Sequence, residues 1–302
     1  MSTDLTNPIF FDEDLAREHL EMLRWKGKPV CPKCGETVKI TKLKGKSHRP
    51  GLYQCNGCRQ HFTVTVGTLF EDSHIKLHKW LLAFHLMASS KKGISAHQLA
   101  RGLDITYKSA WFMGHRIREA MKPNGDGGML GGKAPVEADE TFVGTKPGAK
   151  KRRGYAHKNA VLSLVERNGE VRSFHVPNVN AKTLKPYLQA NISPDARLMT
   201  DDAGQYRILG PEFAEHEVVC HSSGEYVRGD THTNTAESFF SVFKRGIYGV
   251  YQHVSSHHLH RYTAEFDFRF NYRAKLKFTD FQRATIALKG IAGKRLTYRR
   301  TH

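Results

Sequence analysis

The chain has 302 residues, 39% of them hydrophobic, and sets 47 lysines and arginines against 29 aspartates and glutamates, a formal charge of +18. That length favours two domains over one. The charge sets aside an enzyme of small metabolites and points to nucleic acid, because phosphate contacts draw on Lys and Arg at many positions. No apolar run reaches the roughly 20 residues of a membrane span, and the N-terminus "MSTDLTNPIFFDED" is polar and acidic, unlike a signal peptide. A cytoplasmic protein is expected.

Residues 1–28 read as a helical lead: "DEDLAREHLEMLRW" sets Leu15, Leu20, Leu23 and Trp25 among charges, with Asp12 or Asp14 as cap. Residues 29–70 are short, turn-rich pieces around four cysteines, followed by "HFTVTVGTLF", which alternates like a strand. Residues 71–123 are helical: "IKLHKWLLAFHLMASS" is amphipathic, and "ISAHQLARGLDITYKSAWFMGHRIREAM" reads as two helices. Ser95 caps the first of these, Gly102 lies in the break and Thr106 opens the second, which is helix-turn-helix spacing. Its second helix carries Tyr107, Lys108, His115, Arg116 and Arg118 as candidates for DNA contact.

A Gly-rich linker occupies 124–134, and the texture changes after it. "VEADETFVG" reads as a strand and "AVLSLVERNGEVRSFHV" as a hairpin turned at Asn168–Gly169. "NAKTLKPYLQANI" is a helix, "ARLMTDD" and "EHEVVCH" are strands (Cys220 in the latter is expected in the core), a helix starts at Asn234, and 255–275 is helical. Strands followed by alternating strand and helix predict an α/β domain with a mixed sheet over 135–280. Residues 281–302 read as a basic C-terminal tail, with "GKRLTYRRTH" loose.

"CPKCG" and "CNGC" supply Cys31, Cys34, Cys55 and Cys58. Two residues between the cysteines of each pair let both thiolates reach one ion, and the 20 residues between pairs fit a hairpin that completes a tetrahedron. Four protein ligands leave no open position, so the expected zinc is structural.

Three acidic spots remain. Alternation sends Glu137 and Asp139 to one face of their strand and Glu140 to the other. Asp201 and Asp202 end a hydrophobic strand. In "THTNTAESFFSVFKRG", Asn234, Glu237, Ser241 and Lys244 fall on one helical face, with Phe239, Phe240, Val242 and Phe243 packing around them. Carboxylates brought together at a sheet edge repel unless a hard cation lies between them, which suits Mg2+ or Mn2+ and phosphoryl transfer.

The motifs "CPKCG", "CNGCRQHFTVTVGTLF", "VEADETFVG", "LMTDDAGQY" and "NTAESFFSVFKRGIYGVYQHVSSHHLHRYTAEFDFRFNYR" resemble those of bacterial insertion-sequence transposases with an N-terminal zinc ribbon and an ISXO-type DDE domain. The resemblance runs over about residues 15–275. It implies an RNase H-like catalytic domain preceded by the ribbon and the helix-turn-helix-like region, and a nucleoid-associated protein. It implies two catalytic ions, Mg2+ or Mn2+, cleavage at the element's terminal inverted repeats, and joining of the freed 3′-hydroxyl to target DNA by a homo-oligomer on DNA. By the same motifs Asp139 matches the first catalytic acid, and Asp201 matches the second because Tyr206 follows it by five. Asp202 then stands where the family often has Gly, as a competing acid. Both Asn234 and Glu237 are offered for the third position. Lys244 follows Glu237 by seven residues, the partner spacing in such enzymes, which favours Glu237, with Asn234 the alternative as a neutral ligand or a DNA contact. Glu137 and Glu140 are read as supporting the site or as structural. Two rival readings are a non-catalytic zinc-ribbon DNA-binding protein derived from a transposase and an RNase H-like nuclease. The intact acids argue against the first, and the DNA-binding N-terminal region against the second.

Overall fold

Asp12 opens the first helix, its carboxylate accepting from the amides of Asp14 at 2.8 Å and Leu15 at 2.9 Å. The computed structural model describes residues 5–123, 125 and 127–297. Within these the chain forms two units, one of residues 5–90, 96–121 and 279–297, the other of 91–95, 122–123, 125 and 127–278.

In the first unit, helix α1 (Glu13–Trp25) buries Ala16, Leu20 and Trp25 and stops at Lys26, whose φ is 50°. An antiparallel sheet follows, of β1 (Ile40–Lys42), β2 (Tyr53–Cys55) and β3 (His61–Phe62). Trp25 packs edge-on against Tyr53 and Phe62, which ties the ribbon to α1. The alternating stretch after His61 is a strand for two residues only. Thr68 donates to the Thr65 carbonyl at 2.6 Å and accepts from the Phe70 amide, so threonine side chains turn the backbone away from the ladder.

Helices α2 (Leu77–Ser89), α3 (Ala96–Leu103) and α4 (Tyr107–Met121) follow. Thr106 caps α4, accepting from the Ser109 amide at 3.2 Å. The break differs from the expected one: Gly102 lies inside α3, and Asp104 turns the chain with φ 48°. Aspartate tolerates that left-handed conformation better than most residues. The expected reach of α4 towards DNA is also corrected in part. His115, Arg116 and Arg118 are buried, and Arg116 donates to the Leu69 carbonyl at 2.8 Å and the Leu296 carbonyl at 3.2 Å. Tyr107 and Lys108 stay exposed.

The last helix, Asp280–Lys289, has a complete capping box between Thr279 and Gln282 and packs on α2 and α4. The segment expected as a tail from 281 therefore begins as a helix. It goes on to Lys294, which donates to the Glu119 carbonyl at 3.0 Å; residues 298–302 lie outside the described ones.

The second unit is built on a five-stranded sheet ordered β6-β5-β4-β7-β8: β4 (Val136–Val143), β5 (Asn159–Glu166), β6 (Val171–Val176), β7 (Arg197–Asp201) and β8 (Glu215–Val219). β4, β5 and β6 form an antiparallel meander, with Asn168 at φ 56° turning the β5–β6 hairpin, and β7 and β8 run parallel to β4. This is the mixed-sheet, RNase H-like order that the resemblance implies. Helices α5 (Ala181–Asn191) and α6 (Gly204–Leu209) cover one face, packing Leu184, Leu188, Tyr206 and Leu209 on Ala138, Leu162 and Leu198. Helices α7 (Asn234–Gly246) and α8 (Ser256–Asn271) cover the other, packing Phe239, Phe243 and Phe266 on Val143, Val161 and Val165. A π-helical segment, Ile247–Tyr251, continues α7. Alternation along β4 decides which acid meets which helix layer.

Candidate active site

The parallel pairing of Val136 with Leu198 and Glu137 with Met199, carried on at the same offset, sets Asp139 level with Asp201. Asp201 ends β7, where its carboxylate accepts from the Ala203 amide at 3.1 Å and turns the chain. Asp139 points to the α7 side. Its carboxyl is pushed up to about 8 by burial, then by Glu140, and further by Asp201 and Glu237; the Glu140 amide, 2.7 Å away, pulls the other way. Charges from β4, β7 and α7 thus converge on one carboxyl. Glu140, on the opposite face, is pushed up to about 7, by burial first and also by Asp201. Tyr206 of α6 donates to it at 2.7 Å.

The three acids are close enough to repel but do not form a tight knot. Among the described residues, the one group of three or more ligand side chains whose donor atoms all lie within 4.8 Å is Cys31, Cys34, Cys55 and Cys58. The three side chains offer carboxylate oxygens, the donor type that a hard divalent cation takes.

Glu237 is half exposed, with His221 Nε2 3.9 Å from its Oε1. Asn234, the first residue of α7, is exposed. Lys244 is exposed in the last turn of α7, about 10 Å along the axis from Glu237. Asp139, Asp201 and Glu237 are thus brought together; Asn234 and Lys244 flank them along the helix. Asp202 turns away: Ser222 donates to it at 2.8 Å and Cys220 at 3.4 Å, and these bonds hold its carboxyl below the usual range. Cys220 is therefore no core residue. It follows β8, half-buried, as a partner of Asp202.

The residue that sequence reasoning undervalued is Glu137. It is fully buried, and its carboxylate accepts from the amides of Thr235 at 2.8 Å and Ala236 at 2.9 Å and from the Thr235 hydroxyl at 2.8 Å. No side chain of Thr233 caps α7, so a carboxylate from β4 takes the free amides of its first turn, where the helix dipole also favours an anion. Arg167, in the β5–β6 turn, donates to Glu137 at 2.7 Å and to the carbonyls of Asp230 at 2.6 Å and His232 at 2.9 Å. Glu137 thereby ties the helix carrying Glu237 to the strand carrying Asp139. The signal was present in the alternation that places Glu137 on Asp139's face.

In the ribbon, Cys31 and Cys58 sulfurs are 3.7 Å apart and those of Cys34 and Cys55 3.6 Å. A tetrahedron with Zn–S of about 2.3 Å has edges of about 3.8 Å, so the four thiolates fit one structural zinc. The two knuckles share a turn: Gly35 and Arg59, each following the second cysteine of its pair, have φ of 77° and 60°.

Comparison with known proteins agrees with both halves. Residues 129–271 match the model of the ISXO2-like transposase domain, and residues 11–61 that of a transposase zinc-ribbon domain. A protein of Halobacterium salinarum, described as an uncharacterized protein in transposable element ISH50, is 31% identical over 286 residues, covering 86% of this chain and 91% of its own. An uncharacterized transposase-like protein of Haemophilus influenzae is 27% identical over 96 residues, 32% of this chain and 76% of its own. A chain of the pre-cleavage Mos1 transpososome aligns over 67% of this chain and 75% of its own, at 13% identity and a TM-score of 0.24, too loosely to carry an argument. Among the described residues no helix is long and apolar enough to cross a membrane.

Proposed function

We propose, from the premise that the chain belongs to the insertion-sequence transposases of the ISXO2-like family, that its second unit cuts DNA at the ends of its element and joins the freed 3′-hydroxyl to target DNA. The observation that carries the reading is Asp139, whose half-buried carboxyl lies level with Asp201 across the β4–β7 pairing and feels acids from β7 and α7 at once. Asp139, Asp201 and Glu237 would hold Mg2+ or Mn2+. Such ions activate the attacking water or hydroxyl and stabilise the leaving oxygen. The partial burial of Asp139 and Glu140 limits how far bulk water screens the site. Tyr206 fixes Glu140, so that the β4 carboxylates keep their orientation. Lys244 supplies a point charge for phosphate further along α7. Asn234, exposed at the start of the same helix, is the alternative third residue. Structural zinc on the four cysteines would keep the ribbon folded for recognition of the ends, and two ends would be paired by a multimer on DNA.

The test is Mg2+-dependent cleavage of end-containing DNA by the full chain. Asp139→Asn and Asp201→Asn are expected to abolish cleavage while leaving DNA binding intact; activity in both variants overturns the reading. Glu237→Gln is expected to lose activity and Asn234→Ala to keep most of it, and the reverse pattern makes Asn234 the third ligand.

A further inference from the structure

We propose that the β4–β5 loop, residues 144–158, together with the last turn of α7, forms the surface that grips the DNA backbone about four nucleotides from the phosphate under attack. This rests on the transposase reading above and adds where the strand lies.

Charge is the first observation. From Thr141 to Val165 the chain has no acidic residue, and the loop carries Lys146, Lys150, Lys151, Arg152, Arg153 and Lys158. Lys150 to Arg153 are exposed and have no hydrogen-bond or ion-pair partner among the described residues. A run of cations is often only a solvated face, but this loop is built. Tyr155 stacks on Phe142 of β4, with centroids 4.7 Å apart and planes 7° from parallel. The Lys146 amide donates to the His157 carbonyl at 2.8 Å, and its ammonium to the Pro177 carbonyl at 3.2 Å. Lys158 lies over the Tyr155 ring, 5.3 Å from its centroid. Lys146 and Lys158 are thus used in holding the loop, and the four free cations stand at its tip.

Placement is the second observation. Asp139 precedes the end of β4 by four residues, a span of about 13 Å. Helix α7 runs along β4 in the same sense: its first amides sit on Glu137, and beyond its end the Tyr248 hydroxyl accepts from the Gly144 amide at 3.3 Å. The exposed Lys244 and Arg245 therefore emerge near the base of the loop, one turn before Tyr248. In a duplex, 13 Å of axis holds about four phosphates of one strand. A strand whose scissile phosphate sits at Asp139 and Asp201 thus presents its fourth neighbour to these cations.

The test uses the full chain, without Mg2+, binding end-containing duplex over a salt series. Replacing Lys150, Lys151, Arg152 and Arg153 together by alanine is expected to lower the slope of log K against log salt by about 0.9 per lost contact, up to ~3.6. A single neutral methylphosphonate about four nucleotides from the cleavage point is expected to weaken the wild type and to leave the variant unchanged, whereas one about ten nucleotides away affects both alike. An unchanged slope, or equal sensitivity of both proteins to the near substitution, overturns the proposal. If that happens while Asp139→Asn still abolishes cleavage, the loop assignment falls and the transposase reading stands. If the wild type cuts no end-containing DNA with Mg2+ or Mn2+, the reading itself falls.

Discussion

The ribbon's four cysteines and the acids proposed to hold metal in the second unit are built on opposite plans. The four ribbon cysteines are drawn together so that every sulfur lies within 4.8 Å of the others. They come from two short turns beside a small three-stranded sheet that packs on Trp25. The acids of the second unit come from β4, β7 and α7, held apart on a packed sheet, and they repel. A structural zinc would supply much of the order of the first cluster. The second is ordered by its surroundings and holds an unfavourable concentration of charge, a pattern that marks functional-site candidates.

The largest effect that could break this contrast is removal of metal. Stripping zinc with a strong chelator, or Cys31→Ser, is expected to unfold the ribbon, since structural zinc contributes apparent free energies of about 10–16 kcal/mol in small domains. Trp25, packed on Tyr53 and Phe62, reports it by fluorescence. Withdrawing Mg2+ is expected to leave Trp25 and the helical circular dichroism unchanged. If the two treatments unfold the protein alike, the contrast is wrong.

Next in size is the tether. Glu137→Ala leaves Arg167 facing a buried void and is expected to cost about 3–5 kcal/mol of stability. Glu137→Gln keeps the shape and separates packing from positioning. It should speed hydrogen exchange at the Thr235 and Ala236 amides and lower cleavage by about 10–100-fold, with the exchange of α8 unaltered. Uniformly faster exchange would make Glu137 merely structural.

Asp267 of α8 sharpens the comparison as a half-buried acid outside the cluster. Burial pushes its carboxyl up to about 7, although Ser173 donates to it from its amide at 2.8 Å and its hydroxyl at 2.6 Å. A raised value means that the stability is present below the unfolded-state value of about 3.9 and is lost as pH rises through about 7. Asp267→Asn should therefore flatten thermal stability between pH 4 and 7. An unchanged pH slope would show that Asp267 is ionised throughout. The smallest expected effect is Asp139→Asn without metal, a gain of a few degrees in Tm from relief of repulsion. A loss instead would mean that the acids hold the sheet together.

Much of this was legible in the chain itself, for local reasons. The cysteine spacing is a property of two short turns, and the periodicity of β4 and α7 names which residues share a face. What such patterns leave out is what each face meets. Glu137 depends on amides 98 and 99 residues away. The burial of Arg116 depends on the Leu69 and Leu296 carbonyls, 47 and 180 residues away. At the α3–α4 break, Gly102 looked the natural breaker, yet a left-handed aspartate two residues later ends the helix. In each case a contact distant in sequence, or a conformation open to several residue types, decided the outcome.

The 98-residue reach of the Glu137 tether has a consequence for synthesis. A growing polypeptide displays Glu137 and Asp139 well before residue 235 leaves the ribosome, and until then nothing docks the helix that carries Glu237. On the proposed reading, competence to cut DNA would therefore arrive late, with the closing of a single helix. A prematurely stopped product would then bear the basic parts of the protein without the proposed third acid.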